Sequence, residues 1–151
     1  MQEPKKSRKT SKTLMRKINK IIIHCSATPQ GREVSVSTIR KWHLKRRFSD
    51  IGYHYVIHLD GKISVGRDIS RNGAHCSYEN IGSIGICYVG GMSKDMKKAK
   101  DTRTQAQKDS LIKLMQELIY TYNWDMTIHG HNEFANKACP SFNVQEEYAN
   151  L

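Results

Sequence analysis

Asp60-Gly61 lies between two β-rich runs, Tyr53 to Leu59 and Lys62 to Val65, and this dipeptide constrains the fold more than any other local feature. A two-residue Asp-Gly connection is a specific hairpin signal, because both turn residues then take positive φ, which glycine adopts freely and aspartate tolerates. An antiparallel pair is thereby expected in the middle of the chain. Two further runs read as strands. Lys20 to Cys25 carries the β-branched Ile21, Ile22 and Ile23 and ends in the Ser-Ala-Thr-Pro-Gln-Gly loop of residues 26 to 31. Ser83 to Val89 is closed by Gly90-Gly91, and a short strand, Met126 to His129, leads into a loop holding His131, Lys137 and Cys139.

Helical signals alternate with these strands. Thr104 followed by Gln107 gives a capping box, and Leu111, Ile112, Leu114, Met115, Leu118, Ile119 and Tyr122 fall on one broad apolar face. This predicts a helix of about five turns packed on the sheet. A second helix is predicted from about Thr38 to Arg47, with Ser37 as its N-cap and Ile39, Trp42 and His43 at helical spacing, Trp42 being read as core. Ser93 to Asp101 is polar and lysine-rich and reads as an exposed loop. A chain of 151 residues suffices for one hydrophobic core. The fold class is therefore α/β, a single domain with a mixed central β-sheet flanked by helices.

The formal net charge of +11 is unevenly spread. Residues 1 to 20 hold eight basic residues against Glu3 alone and so supply +7 of it. A run this basic and this poor in apolar residues is expected to be a disordered arm over residues 1 to 19, followed by one folded domain over residues 20 to 151. Such an arm is attracted to any polyanion, but the rest of the chain has no basic stripe interleaved with aromatics, so an obligatory nucleic-acid partner gains no support. Met1 to Lys20 has no apolar core of a secretory signal, and no run approaches the length of a membrane span. The protein is thus expected to be made in the cytoplasm. Cys25, Cys76, Cys87 and Cys139 match no small disulfide scaffold, which favours free thiols.

Three of the residues at strand ends and in loops suit a metal. A catalytic zinc takes three protein ligands of imidazole, thiolate or carboxylate type and keeps a fourth position open. His24, His131 and Cys139 supply such a set, although the spacing of His131 and Cys139 is by itself a weak signal. His129, two residues before His131, lies on the same face of a continued strand, so position alone leaves it open as a ligand.

Four stretches carry a further signal: His24-Cys25-Ser26-Ala27-Thr28, Gly52-Tyr53-His54-Tyr55, Ser83 to Gly91, and Lys137-Ala138-Cys139-Pro140-Ser141-Phe142. Together and in this order they resemble the N-acetylmuramoyl-L-alanine amidases, above all the lysozyme-type amidases of T-odd phages, in a superfamily that includes the peptidoglycan recognition proteins. The resemblance implies zinc as cofactor, held by His24, His131 and Cys139, with Tyr53 and Lys137 as catalytic residues and His75 as a substrate contact. It also implies hydrolysis of the amide between N-acetylmuramic acid and L-alanine, with peptidoglycan or muropeptides as partners and action on the wall after release. A monomer is expected. Two other readings stand beside it: a peptidoglycan-binding protein without catalysis, from which the filled set of ligands distinguishes this chain, and a regulator binding nucleic acid or a polymerase, supported only by the basic arm.

Overall fold

The computed structural model describes residues 16–151. Its chain runs through β1 (Lys20–Cys25), β2 (Thr28–Pro29), α1 (Val36–Lys45), β3 (Tyr55–Ile57), β4 (Ile63–Val65), β5 (Ser83–Tyr88), β6 (Gly91–Met92), α2 (Gln105–Tyr122), β7 (Thr127–Gly130), a one-turn 3-10 helix (His131–Glu133) and α3 (Val144–Tyr148). Five strands form a sheet in the order β4-β3-β5-β1-β7. It is parallel except for the β3–β4 hairpin at one edge. A two-stranded parallel pair, β2 with β6, lies beside it. This is the mixed α/β domain that the sequence implied.

Alternation along β1 explains how one strand serves both core and site. Ile21, Ile23 and Cys25 join Ile84, Ile86, Tyr88 and the buried face of α2, Leu111, Leu114, Met115 and Leu118, in the larger core. Successive side chains on a strand point to opposite faces, so His24 turns away from this core. On that other side a smaller cluster of Val34, Ile39, Ile51, Val56 and Val89 packs α1 against the sheet. Ile21, Ile22 and Ile23 have no solvent exposure at all. Each contributes about 1.5–3 kcal/mol of burial, which anchors β1 between β5 and β7.

The α2 capping box is present in full: the Thr104 hydroxyl accepts from Gln107 N at 3.0 Å and Gln107 Oε1 accepts from Thr104 N at 2.9 Å. The same Thr104 hydroxyl donates to Leu59 O at 2.7 Å, tying the helix to the hairpin loop. Thr104→Ala is therefore expected to cost about 1–2 kcal/mol and lower the melting temperature by about 2–8 °C, as a thermal melt would show. An unchanged melt would contradict this role.

Several local expectations are corrected. The hairpin loop is three residues long: Gly61 N donates to His58 O and His58 N to Lys62 O, and among the turn residues only Gly61, at φ 89, is left-handed. The glycine follows a turn that Asp60 closes by accepting from Lys62 N at 2.9 Å, so no positive φ is asked of the aspartate. Helix α1 starts at Val36 and is capped by Ser35, whose hydroxyl accepts from Thr38 N. Trp42 is not core but 39 % exposed, because Ile39 and His43 take the buried face. The arm read over residues 1 to 19 lies outside the described residues as far as residue 15. From there the chain is packed: Ile18 is buried, and Arg16 donates to Ile69 O at 2.8 Å and Ser83 O at 3.0 Å.

Candidate metal centre

Parallel strands leave their carboxyl ends together at one rim of the sheet, and this is where α/β folds bind ligands. His24 sits near the end of β1, and His131 directly follows β7 in the 3-10 turn. Cys139 comes from the loop before α3 and is held against β1, its Sγ accepting from Cys25 N at 3.2 Å. Ligand atoms of His24, His131 and Cys139 all lie within 4.8 Å of one another. Among the described residues this is the one group of three or more such side chains able to hold a metal ion.

The electronic state of the three fits a cation. Burial pushes the His24 pKa well below its ordinary value, helped by the positive potentials of His75, His131 and Lys137. Burial and then Lys137 lower that of His131. Both imidazoles are therefore neutral near pH 7 and offer a lone pair. His131 Nδ1 is buried without a hydrogen-bond partner, the only such side-chain nitrogen or oxygen among the described residues. An orphaned buried acceptor costs about 1–3 kcal/mol unless something completes it, and a metal does so. His24 Nδ1 faces Cys139 Sγ at 3.7 Å, leaving both donors turned toward a common point. The Cys139 thiol lies against Cys25, and the interaction between the two thiols raises the Cys139 pKa and lowers that of Cys25 to about 7. A divalent cation held by His24, His131 and Cys139 would reverse that order, since a coordinating thiol is deprotonated outright.

Around this triad opens a cavity of about 640 Å³, lined among others by Tyr53, His75, Lys137, Trp42, Arg46, Tyr78 and Phe134. Tyr53 packs its ring at 5.1 Å from that of His24 and 5.2 Å from that of His43. Burial, reinforced by the nearby thiols, pushes its pKa well above the usual phenol value, so it keeps its proton. Lys137 is exposed on the cavity wall and close enough for its charge to act on both His24 and His131. His75 lines the cavity too, but its Nδ1 meets His24 Nε2 at 2.9 Å and its Nε2 meets Ser83 Oγ at 3.2 Å. His129 stands apart, paired with Glu133 at 2.9 Å and Thr127 at 2.8 Å. The 3-10 turn breaks the strand alternation that would have put it beside His131. Glu133, in turn, is engaged by Gly130 N at 2.8 Å and by Gln145.

Sequence reasoning missed Trp42 and Arg46 as cavity residues, although their four-residue spacing puts them on one helix face. It also passed over His43, which lines the cavity, while His54 is buried outside that lining. Gly52 N donates to His43 Nδ1 at 2.8 Å and Gly85 N to His54 Nδ1 at 3.1 Å. Burial lowers the pKa of each to about 4. Unfolded, both histidines titrate near 6.5, so between about 6.5 and 4 the unfolded chain binds more protons than the fold. Stability is accordingly expected to fall as pH falls through that window, by up to about 3 kcal/mol per histidine, and to gain nothing from either above it. Urea midpoints measured at pH 7 and pH 4.5 check this; equal midpoints would contradict it.

Comparison with known proteins agrees with this geometry. Residues 14–142 match the family model described as N-acetylmuramoyl-L-alanine amidase. The endolysin of Escherichia phage T7 is 41 % identical over 125 residues, 83 % of this chain and 82 % of that protein. The solved amidase LysC from Clostridium intestinale superposes with a TM-score of 0.74 at 25 % identity, covering 89 % of this chain and 87 % of that one. Drosophila PGRP-LB shares the fold, with a TM-score of 0.75 at 23 % identity over 91 % of this chain and 82 % of its own. The match over most of the chain, joined to a histidine–histidine–cysteine centre at the carboxyl rim of the sheet, establishes that the chain belongs to the N-acetylmuramoyl-L-alanine amidase family.

Proposed function

We propose that this amidase works as a zinc enzyme, with His24, His131 and Cys139 as its protein ligands and Tyr53 and Lys137 as its catalytic residues. The observation that carries the reading is the convergence of three neutral or ionisable donors within 4.8 Å, one of them a buried nitrogen with no other partner. Two imidazoles and a thiolate are a donor set that suits zinc among the common divalent metals. Zinc, when bound, polarises a carbonyl oxygen and lowers the pKa of a water molecule.

The side chains do the rest. The bond attacked joins the lactyl carbonyl of N-acetylmuramic acid to the L-alanine nitrogen of the stem peptide. Lys137, exposed on the cavity wall, brings its ammonium to the carbonyl oxygen as negative charge develops there. Tyr53, held protonated by burial, donates a hydrogen bond that orients the attacking water. It also bridges the transfer of that water's proton to the departing alanine nitrogen. Trp42, Tyr78 and Phe134 offer aromatic faces to the sugar, and Arg46 a cation to the carboxylates of the stem. His75, with both nitrogens engaged, offers substrate only its ring edge.

On this reading the substrate is peptidoglycan or a soluble muropeptide, the protein is a monomer, and it meets the wall after release from the producing cell, as the relatives named endolysins suggest. Among the described residues no helix is long and apolar enough to cross a membrane. Mass spectrometry of digested sacculi tests the reaction. Soluble stem peptides beginning with L-alanine, abolished by a chelator and restored by zinc, are expected. New reducing sugar ends in their place would contradict the proposal.

A further inference from the structure

His75 is buried behind His24 in a setting shaped for an imidazole. A Cβ on Gly85 would stand 2.6 Å from His75 Cδ2 and Cγ, and one on Gly73 would stand 2.5 Å from His75 Cδ2. The ring therefore lies directly on two glycine backbones, where no larger residue leaves it room. Asn80 Oδ1 accepts from both His75 N and Cys76 N at 2.9 Å and so fixes the loop that carries it. His75 lies outside the group of His24, His131 and Cys139, yet its position is held from three sides.

The hydrogen-bond polarity of this arrangement follows from counting protons. Ser83 has a single hydroxyl hydrogen, and it is given to Glu79 O at 2.7 Å. Toward His75 Nε2, at 3.2 Å, Ser83 Oγ consequently accepts, which places a proton on Nε2 and leaves a lone pair on His75 Nδ1. That lone pair sits 2.9 Å from His24 Nε2, which must then be the donor. A neutral His24 protonated on Nε2 has its own lone pair on Nδ1, the atom that faces Cys139 Sγ.

We propose that His75 is a positioning residue for the metal centre: it accepts the Nε2 proton of His24 and so holds that ring in the tautomer and orientation that present Nδ1 to the metal. The inference rests on the reading of His24, His131 and Cys139 as zinc ligands. Partners of this outer kind raise ligand basicity, and their loss typically weakens metal binding by about 10–100-fold. It gives His75 a duty beyond contact with substrate, carried out by the ring nitrogen that substrate does not reach.

Two variants of nearly equal shape isolate the acceptor. His75→Leu removes it, whereas His75→Asn keeps an oxygen near the place of Nδ1, and both lose the bond to Ser83. Zinc affinity, measured by chelator competition on the full chain, is expected to fall about 10–100-fold for His75→Leu and to stay within a few-fold of the wild type for His75→Asn. The visible spectrum of the cobalt-substituted protein is expected to change with Leu and not with Asn. A second measurement needs no variant: zinc-loaded, nitrogen-labelled wild type is expected to show scalar coupling between His24 Nε2 and His75 Nδ1, with the proton on His24. Equal zinc affinities for the Leu and Asn variants, or no coupling across that bond, overturn the assignment. Wild-type protein that takes up no zinc contradicts the metal centre itself, and the two failures are thereby told apart.

Discussion

Cys139→Ser is expected to lose metal and activity together: zinc content, measured by mass spectrometry of the metal, falls from about one per chain to near zero, and release of stem peptides falls by about 1,000-fold or more. The argument turns on what the substitution keeps. Serine retains an acceptor for Cys25 N, which now donates to Cys139 Sγ at 3.2 Å, so the loop stays against β1. What disappears is, in the proposed ligand set, the one donor that would become an anion on coordination. A serine hydroxyl resists deprotonation far more than a thiol, and two neutral histidines alone make a weak site. A serine variant with full zinc occupancy would remove Cys139 from the ligand set.

Lys137→Ala separates chemistry from metal binding. The side chain is exposed, so its loss leaves the core untouched. Its charge now lowers the proton affinity of His24 and His131, and removing it makes neither a poorer ligand. Zinc content is therefore expected to remain about one per chain. Turnover is expected to drop by about 100–1,000-fold, the usual effect of removing one group that stabilises charge in the transition state, with KM little changed. Near-normal turnover would show that the developing negative charge is met elsewhere.

How much of this was legible in the sequence depended on whether the signal was local. The capping box at Thr104 and the isoleucine run of β1 depend only on residues within a few positions, and both appear as expected. Ser35 and Ser37 are equally good caps by type; Ser35 does the capping because α1 begins at Val36, a choice made by packing. Trp42 has an apolar composition that spacing assigns to a core, but the cavity beside His24 interrupts the surface it would have covered. The pairing of β2 with β6 joins residues more than sixty positions apart through two-residue strands, which no periodicity reveals. Likewise, α3 is too short for a hydrophobic pattern, and its place is set by Arg103, whose guanidinium meets Tyr148 at 2.7 Å and Glu147 at 2.7 Å.

The site divides in the same way. Order and type of the motifs pointed to His24, His131 and Cys139, and they converge in space. The 3-10 turn that separates His129 from them left no mark strong enough to read. Neither did the stack of Ser83, His75 and His24, because it depends on two glycines whose meaning appears only when the ring above them is seen.

X-ray absorption at the zinc edge of the loaded protein tests the central claim most directly. The account predicts one sulfur at about 2.3 Å and two imidazole nitrogens at about 2.0–2.1 Å, with the remaining position filled by a light atom. A shell without sulfur, or with four histidine nitrogens, would contradict it.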